Sequence, residues 1–231
     1  MAKTNAPLAE PFAEDPADQP PIRGFLHKPR AGNGAGLVLT HGAGGNCGSR
    51  LLVSIATRFA EAGIAVLRCD LPFRQGRQGP PHPSGAAKDK DRAGLRSATG
   101  ALRRIVSGNI FLGGQSYGGR QATMLAAEDS TIADGLVLLS YPLHPPKAPE
   151  KKRTAHFPQL QVPALFFHGA QDPFGTREEM ETALRLIPVK THLVSIEAAG
   201  HSLVPAKSAG LGTDELAVRV LDEFQLFFER H

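Results

Sequence analysis

Cysteine and long apolar runs are both scarce in this chain. Of its 231 residues only Cys47 and Cys69 are cysteines, which are too few for a disulfide framework and favour a reducing compartment. No apolar run approaches the length that spans a membrane, and residues 1–20 lack the basic start and apolar middle of a signal peptide. We therefore expect a cytoplasmic protein without a membrane partner.

Motifs for metals and nucleotides are also missing. The nine histidines show no His-Glu-x-x-His spacing, and no Gly-Lys-Ser or Gly-Lys-Thr follows a glycine cluster, so we expect no metal and no Walker A loop. A strand, the glycine loop at 41–45 and Asp70 resemble the order in a dinucleotide-binding fold. However, Cys47 stands at the third position of that glycine fingerprint, and we expect no cofactor.

Positive charge is concentrated in two segments, 74–92 and 147–153, of a chain with a formal net charge of +4. One interpretation is that both are solvated surface loops; the other is that they attract an anionic substrate. The chain has no interleaved aromatic platform and no recognised nucleic-acid module, so we expect no nucleic-acid partner. Composition leaves open whether the chain is a monomer or a homodimer.

Apolar and amphipathic segments alternate along most of the chain. Residues 1–20 are rich in Ala, Pro and acidic residues without periodicity, which predicts a flexible arm before a single domain at 21–231. An edge strand is predicted at 22–26, and further strands are predicted at 36–40, 64–69, 109–112, 135–141, 164–168 and 191–196. Helices are predicted at 51–60, 91–106, 121–128, 176–186 and 216–227, with irregular segments at 72–84 and 142–161. Because most strands are continuously apolar, we predict an α/β fold with a doubly wound, mostly parallel sheet and helices on both faces.

The sequence Gly-Gln-Ser-Tyr-Gly at 114–118 stands between a predicted strand and a predicted helix. Strand, sharp turn and helix form the context of a nucleophile elbow, in which Ser116 is exposed at the tip of the turn. The flanking glycines Gly114 and Gly118 suit a tight turn that lies close to neighbouring backbone. We predict that Ser116 is a catalytic nucleophile.

A serine nucleophile needs a general base that is oriented by a carboxylate. Asp172 follows the predicted strand at 164–168, and His201 follows the predicted strand at 191–196, so all three side chains lie at the carboxyl edge of the sheet. Ser116, Asp172 and His201 also occur in the chain order that this chemistry has on a doubly wound sheet. Alternatively, Ser116 is an ordinary turn serine, Asp172 a turn or cap residue, and His201 a surface histidine.

Other polar residues near these loops have structural interpretations. Asp70 precedes Ser116 in the chain, so a structural role is favoured over that of the catalytic acid. His41, at the glycine loop, and His168, at the end of a predicted strand, are also interpreted as structural. His144 belongs to the proline-rich segment, and whether it lines a pocket stays open. The developing oxyanion needs two donors, for which we predict the backbone N–H groups of Tyr117 and Ala43.

The motifs together resemble the α/β-hydrolase superfamily over residues 22–230. His-Gly-Ala-Gly-Gly at 41–45, Tyr-Pro-Leu-His-Pro-Pro at 141–146 and Gln-Asp-Pro-Phe-Gly at 171–175 resemble a subgroup of small bacterial hydrolase-like proteins. These are related to the testis-expressed-protein-thirty-like group and to dienelactone-hydrolase-like proteins. The elbow departs from this subgroup, because Gln-Ser-Tyr stands where Arg-Ser-Met is expected.

The resemblance implies a serine hydrolase with a minimal lid or none, and it supports Ser116, Asp172 and His201 as the triad. We expect an esterase-type enzyme that cleaves an ester, thioester or amide of a small acyl substrate through an acyl-enzyme on Ser116. The alternative is a binding or scaffold protein that keeps the hydrolase fold without catalysis. The four basic residues Lys147, Lys151, Lys152 and Arg153 are predicted to face the substrate.

Overall fold

One sheet of eight strands forms the centre of the computed structural model, which describes residues 9–75, 85–204 and 212–228. The strands are β1 (Ala9–Glu14), β2 (Ile22–His27), β3 (Gly36–Thr40), β4 (Ala65–Cys69), β5 (Ile110–Gln115), β6 (Gly135–Leu139), β7 (Ala164–Gly169) and β8 (Thr191–Ile196). Their order across the sheet is β1-β2-β4-β3-β5-β6-β7-β8. Strands β3 to β8 run parallel, whereas β1 and β2 are antiparallel to their neighbours.

Helices cover both faces of this sheet. They are α1 (Arg50–Glu61), α2 (Gly85–Arg103), α3 (Tyr117–Glu128), α4 (Arg177–Leu184) and α5 (Thr213–Phe228). The apolar sides of α1 and α5 pack in one hydrophobic cluster, and those of α2, α3 and α4 pack in a second cluster. The predicted α/β fold is therefore confirmed. None of the described helices is long and apolar enough to cross a membrane.

Burial of the strands explains their composition. Every residue of β3, β4, β6 and β7 is buried, because helices cover these central strands on both faces. The edge strand β8 alternates instead, with His192 exposed and Val194 buried. A continuous apolar run is thus the pattern of a central parallel strand in this protein.

The N-terminal segment differs from its prediction. Residues 9–14 form strand β1, which pairs with β2 and makes β2 an interior strand rather than the predicted edge. Lys28 bonds to Glu10 (Nζ–Oε2 2.6 Å), and Arg23 bonds to Asp15 (Nη2–Oδ1 2.5 Å). Most of β1 is exposed, so it lacks the apolar pattern that signals a strand. The prediction of a flexible arm was therefore wrong for residues 9–14. Residues 1–8 lie outside the described part.

The basic segment at 74–92 also differs from a simple loop. Residues 85–92 belong to α2, which begins six residues before the predicted start at Asp91. Residues 76–84 of this segment lie outside the described part. Helix α4 begins with a capping box: Thr176 Oγ1 accepts from the Glu179 N–H, and the Glu179 carboxylate accepts from the Thr176 N–H.

The segment at 142–161 is irregular, as predicted, and contains one short 3-10 helix, Phe157–Gln159. Two hydrogen bonds attach it to the residues that follow β6 and β7: Tyr141 Oη donates to Arg153 O (2.6 Å), and His144 N donates to Phe174 O (3.0 Å). Within the segment, Arg153 N donates to Leu143 O (2.8 Å). Within the described ranges no separate lid domain stands over the carboxyl edge of the sheet.

Candidate active site

Ser116 occupies a strained turn between β5 and α3. Its backbone has φ 51° and ψ −115°, a conformation that residues other than glycine rarely adopt. The Ser116 N–H donates to Leu139 O (2.7 Å), and Ser116 O accepts from Arg120 N (3.0 Å). These bonds to the neighbouring strand and to the helix hold the strained residue in place.

Two glycines allow the elbow to approach the loop after β3. A Cβ atom at Gly118 would lie 2.5 Å from His41 O, and one at Gly114 would lie 2.8 Å from the carbonyl carbon of Gly118. Either contact is too short for a real side chain. The glycines therefore let Ser116 lie directly beside the glycine loop at 41–45.

The structure brings Ser116, Asp172 and His201 together although they are distant in the chain. His201 Nε2 lies 2.8 Å from Ser116 Oγ, and His201 Nδ1 lies 2.8 Å from Asp172 Oδ2 and 3.0 Å from Oδ1. The Asp172 side chain is fully buried, whereas that of His201 is 26% exposed. This is the geometry in which a carboxylate orients an imidazole and the imidazole accepts a hydroxyl proton.

The loop around Asp172 fixes the histidine ring. Asp172 Oδ1 accepts from Phe174 N (2.9 Å), so the carboxylate also closes the turn that the alternative interpretation assigned to it. That turn places the Phe174 ring on the imidazole of His201, with ring centroids 4.1 Å apart and planes 28° apart. One residue thus serves the turn and the hydrogen bond to His201 at once.

Asp70 and His41 hold the glycine loop. Asp70 Oδ1 accepts from Cys47 N (2.6 Å), His41 Nε2 accepts from Leu71 N (3.1 Å), and His41 Nδ1 donates to Gly42 O (2.8 Å). Burial lowers the pKa of His41, which agrees with the neutral ring that these partners require. Both side chains therefore have the structural roles that the sequence predicted.

Neither cysteine offers a competing nucleophile. Cys47 and Cys69 are buried free thiols. Burial, together with the nearby Asp70 carboxylate, raises the pKa of Cys47 to about 12, and burial raises that of Cys69 as well. A thiol needs a lowered pKa to react as a thiolate, so both stay protonated and inert.

The residues of the two predicted oxyanion donors lie beside Ser116. Ala43 and Ser116 both line the two cavities described below, and Tyr117 lines one of them. No hydrogen bond from the N–H of Ala43 or Tyr117 is found among the described residues. Arg74 Nη2 donates to Ala43 O (2.6 Å) and orients that stretch of the loop.

Two cavities open from Ser116. The first, of about 390 Å³, is lined by the glycine loop, Ser49, Gln115, Ser116, Phe174, His201 and Ser202. The second, of about 340 Å³, is lined by Ala43, Lys88, Ser116, Tyr117, Arg120, Pro142, Arg153 and Phe174. We name them the histidine cavity and the arginine cavity.

The basic residues that line the arginine cavity differ from those predicted. Four basic residues were predicted to face the substrate, and among the described lining residues of this cavity Arg153 is the one that belongs to this set. Lys147, Lys151 and Lys152 are exposed to solvent. Lys88 comes from the helical part of the other basic segment, and Arg120 belongs to neither segment. His144 lines neither cavity: its Nε2 lies 3.2 Å from Glu179 Oε2, and its Nδ1 lies 2.9 Å from Pro145 O.

Sequence reasoning missed how Tyr117 is held. Its hydroxyl donates to Asp91 Oδ2 (2.7 Å), whose other oxygen accepts from Phe73 N (3.0 Å). Burial raises the pKa of Tyr117, and the bond to Asp91 adds to the shift, so the phenol stays protonated as a donor. Asp91 was predicted only as the start of a helix, and no local signal links it to the elbow 26 residues away.

Sequence reasoning also missed Arg120 and Phe174, although both leave a signal. Arg120 stands four residues after Ser116, which places it on the same side of α3, facing the site. Phe174 stands two residues after Asp172, within the turn that the aspartate closes.

Comparison with known proteins agrees with this fold. A sequence model described as "Alpha/beta hydrolase domain" matches residues 33–229, and the chain belongs to that family. A dienelactone hydrolase from Anabaena variabilis is 21% identical, with a TM-score of 0.73 over 96% of this chain and 99% of that chain. A serine hydrolase without a lid from Xanthomonas campestris is 16% identical, with a TM-score of 0.73 over 96% of each chain. Est1E from Butyrivibrio proteoclasticus is 16% identical, with a TM-score of 0.73 over 95% of this chain and 99% of that chain. The predicted superfamily is confirmed, and at these identities the likeness concerns the fold.

Proposed function

We propose that this protein is a serine hydrolase that cleaves an ester, thioester or amide of a small substrate through an acyl-enzyme on Ser116. The observation that carries the proposal is the chain of hydrogen bonds from Asp172 through His201 to Ser116 Oγ at the strained turn. A histidine that merely ended a strand would have no reason to bridge a buried carboxylate and a half-buried elbow serine. A binding protein that kept only the fold would not need this alignment.

Each step of the reaction follows from these positions. His201 Nε2 takes the Ser116 proton as Oγ attacks the carbonyl carbon, and the imidazolium that forms is stabilised by the Asp172 carboxylate. The carbonyl oxygen becomes an oxyanion, for which the N–H groups of Ala43 and Tyr117 are the proposed donors. His201 then gives its proton to the leaving group, and the acyl group stays on Ser116.

Deacylation repeats the same steps with water. His201 removes a proton from a water molecule in the histidine cavity, and the hydroxide attacks the acyl carbon. The second oxyanion uses the same donors, and its collapse returns the proton to Ser116 Oγ. The mechanism requires no metal ion and no cofactor.

Labelling with a fluorophosphonate tests the proposal. We expect the probe to modify Ser116, as located by mass spectrometry of tryptic peptides, and Ser116→Ala to abolish both labelling and hydrolysis of short para-nitrophenyl esters. The melting temperature should change little, because Ser116 lines two cavities and its hydroxyl therefore contributes little packing. Equal labelling of the wild type and Ser116→Ala, or labelling at another residue, would show that the assignment is wrong.

A further inference from the structure

The arginine cavity carries positive charge beside the proposed nucleophile. Lys88, Arg120 and Arg153 line it, and no acidic residue does so within the described ranges. Three cations around a cavity of about 340 Å³ repel one another, and a bound anion would offset this repulsion. The charge therefore needs a functional or a structural reason.

The structural reason would be pairing with carboxylates, and it is absent for these three residues. In the described part of the chain none of Lys88, Arg120 and Arg153 forms an ion pair. Arg120 Nε is buried without an acceptor there, and Arg153 Nη1 donates only a long bond, to Pro142 O at 3.2 Å. The hydroxyl of Tyr141 interacts with the Arg120 guanidinium, but this neutral partner does not balance its charge.

Neighbouring arginines show what a structural arrangement looks like in this protein. Arg92 bonds to Asp89 and to Glu128 (Nε–Oε1 2.9 Å), and Arg96 bonds to Asp129. The carboxylate of Asp91 is already engaged by the hydroxyl of Tyr117 and by a backbone amide. The cations of the arginine cavity therefore differ from nearby ones in having no internal counter-ion.

The position of His201 decides which half of the substrate occupies each cavity. His201 lines the histidine cavity and is absent from the lining of the arginine cavity. Because His201 must reach the leaving group to protonate it, the leaving group departs through the histidine cavity. The acyl chain then extends from Ser116 into the arginine cavity.

On the basis of the proposed function, we infer that the arginine cavity is an acyl subsite for a carboxylate-bearing chain, so that the preferred substrates are monoesters or monothioesters of dicarboxylic acids. Arg120 and Arg153 can each hold a carboxylate through two N–H donors, which is the arrangement that guanidinium groups favour. Lys88 adds a third positive charge at the same cavity. The bond to Ser116 Oγ forms at one end of the substrate's acyl chain, while the free carboxylate stays at the other end of that acyl chain.

Two esters with one leaving group and one chain length test the inference: para-nitrophenyl hexanoate and the para-nitrophenyl monoester of adipic acid. We expect Arg120→Gln and Arg153→Gln each to lower the ratio of kcat/KM for the adipate ester to that for the hexanoate by about 10- to 100-fold, mainly through KM. Lys151→Gln, which removes an exposed charge from the same segment, is the matched control and should leave the ratio unchanged. Equal losses on both esters in both arginine variants would overturn the inference.

Adipate binding to Ser116→Ala tests the subsite without any chemistry. We expect calorimetric titration to detect adipate binding, and Arg120→Gln in that background to weaken it at least tenfold, while Arg120→Lys retains part of it because the charge is kept. Unchanged affinity in the Arg120→Gln background, at an unchanged melting temperature, would overturn the subsite. If adipate binds but the fluorophosphonate fails to label Ser116, the hydrolase proposal is wrong and the anion site stands. If labelling succeeds and the ester ratio does not change, the subsite alone is wrong.

Discussion

The histidine cavity and the arginine cavity share Ala43, Ser116 and Phe174 but differ in what makes up the rest of their linings. Backbone of the glycine loop and small polar side chains line the first, and long cationic side chains line the second. The shared residues include the proposed nucleophile and one proposed oxyanion donor, so both cavities depend on the same bond-making atoms. From this difference we expect that the proposed chemistry and the proposed substrate choice can be altered separately, because the cations of the arginine cavity have no hydrogen bond to Asp172 or His201.

The largest effects on activity are expected from changes at the histidine cavity. His201→Ala removes the proposed base for Ser116 and the proposed acid for the leaving group, so kcat/KM should fall by about 10⁴-fold or more. Because the base serves every substrate, para-nitrophenyl hexanoate and the adipate monoester should lose activity equally. A loss confined to one ester would contradict the division of roles between the cavities.

Asp172→Asn should be nearly as severe, about 10⁴-fold in kcat, because an amide favours the wrong tautomer of His201. Asp70→Asn is the matched control, since this carboxylate bonds to Cys47 N and has no contact with His201. We expect it to affect the melting temperature more than turnover. If steady-state kinetics show Asp70→Asn to be the more damaging change at an unchanged melting temperature, the acid has been assigned wrongly.

Tyr117→Phe should produce an intermediate effect, on stability. The change removes the donor to Asp91 Oδ2 and leaves a buried carboxylate with one partner fewer. The free energy of unfolding in urea should fall by about 1–3 kcal/mol. Asp91→Asn, which can still bond to the phenol, should cost less. An unchanged urea midpoint for Tyr117→Phe would mean that the bond does not hold the cavity lining.

The smallest predicted effect is a change in the pKa of His156, which is sensitive to the positive charge of Arg120. His156 Nε2 lies 2.8 Å from Thr123 Oγ1, and burial, followed by the charges of Arg120 and Arg92, lowers its pKa to about 4. Because a nearby cation disfavours the imidazolium, Arg120→Gln should raise the pKa of His156 toward its ordinary value. An NMR titration of the His156 ring would measure this shift, and Lys151→Gln should leave it unchanged. No shift on loss of Arg120 would show that its charge does not act across this region.

The lowered pKa of His156 also has a consequence for stability. The unfolded chain binds a proton at this ring near the ordinary pKa of about 6.5, whereas the folded protein does so only near 4. The contribution of His156 to stability is therefore complete above pH 6.5 and is lost as the pH falls toward 4. Thermal unfolding across that range should show a steeper loss for the wild type than for His156→Gln.

Much of the fold could be predicted from the sequence because its central strands are buried on both faces. A continuous apolar run such as 135–139 is typical of a strand covered on both sides, and the alternation of such runs with helices indicates a parallel sheet. Strand β1 escaped prediction because it lies at the exposed edge, where pairing of backbone groups, rather than burial of side chains, decides the conformation. The irregular segment at 142–161 was recognised by its prolines, but the sequence did not separate Arg153, which lines a cavity, from the lysines of that segment, which do not.

The sequence by itself determined the order of the elements, the elbow at Ser116 and the candidates Asp172 and His201, because turn geometry and strand ends leave local signals. Only the tertiary structure decided that Asp91 holds Tyr117, and that Lys88, Arg120 and Arg153 surround one cavity. The physical reason is that such contacts depend on where the sheet brings distant segments together and on whether a charge finds a partner there. A run of basic residues predicts charge on a surface, whereas the shape of the fold decides which of those charges face the proposed nucleophile.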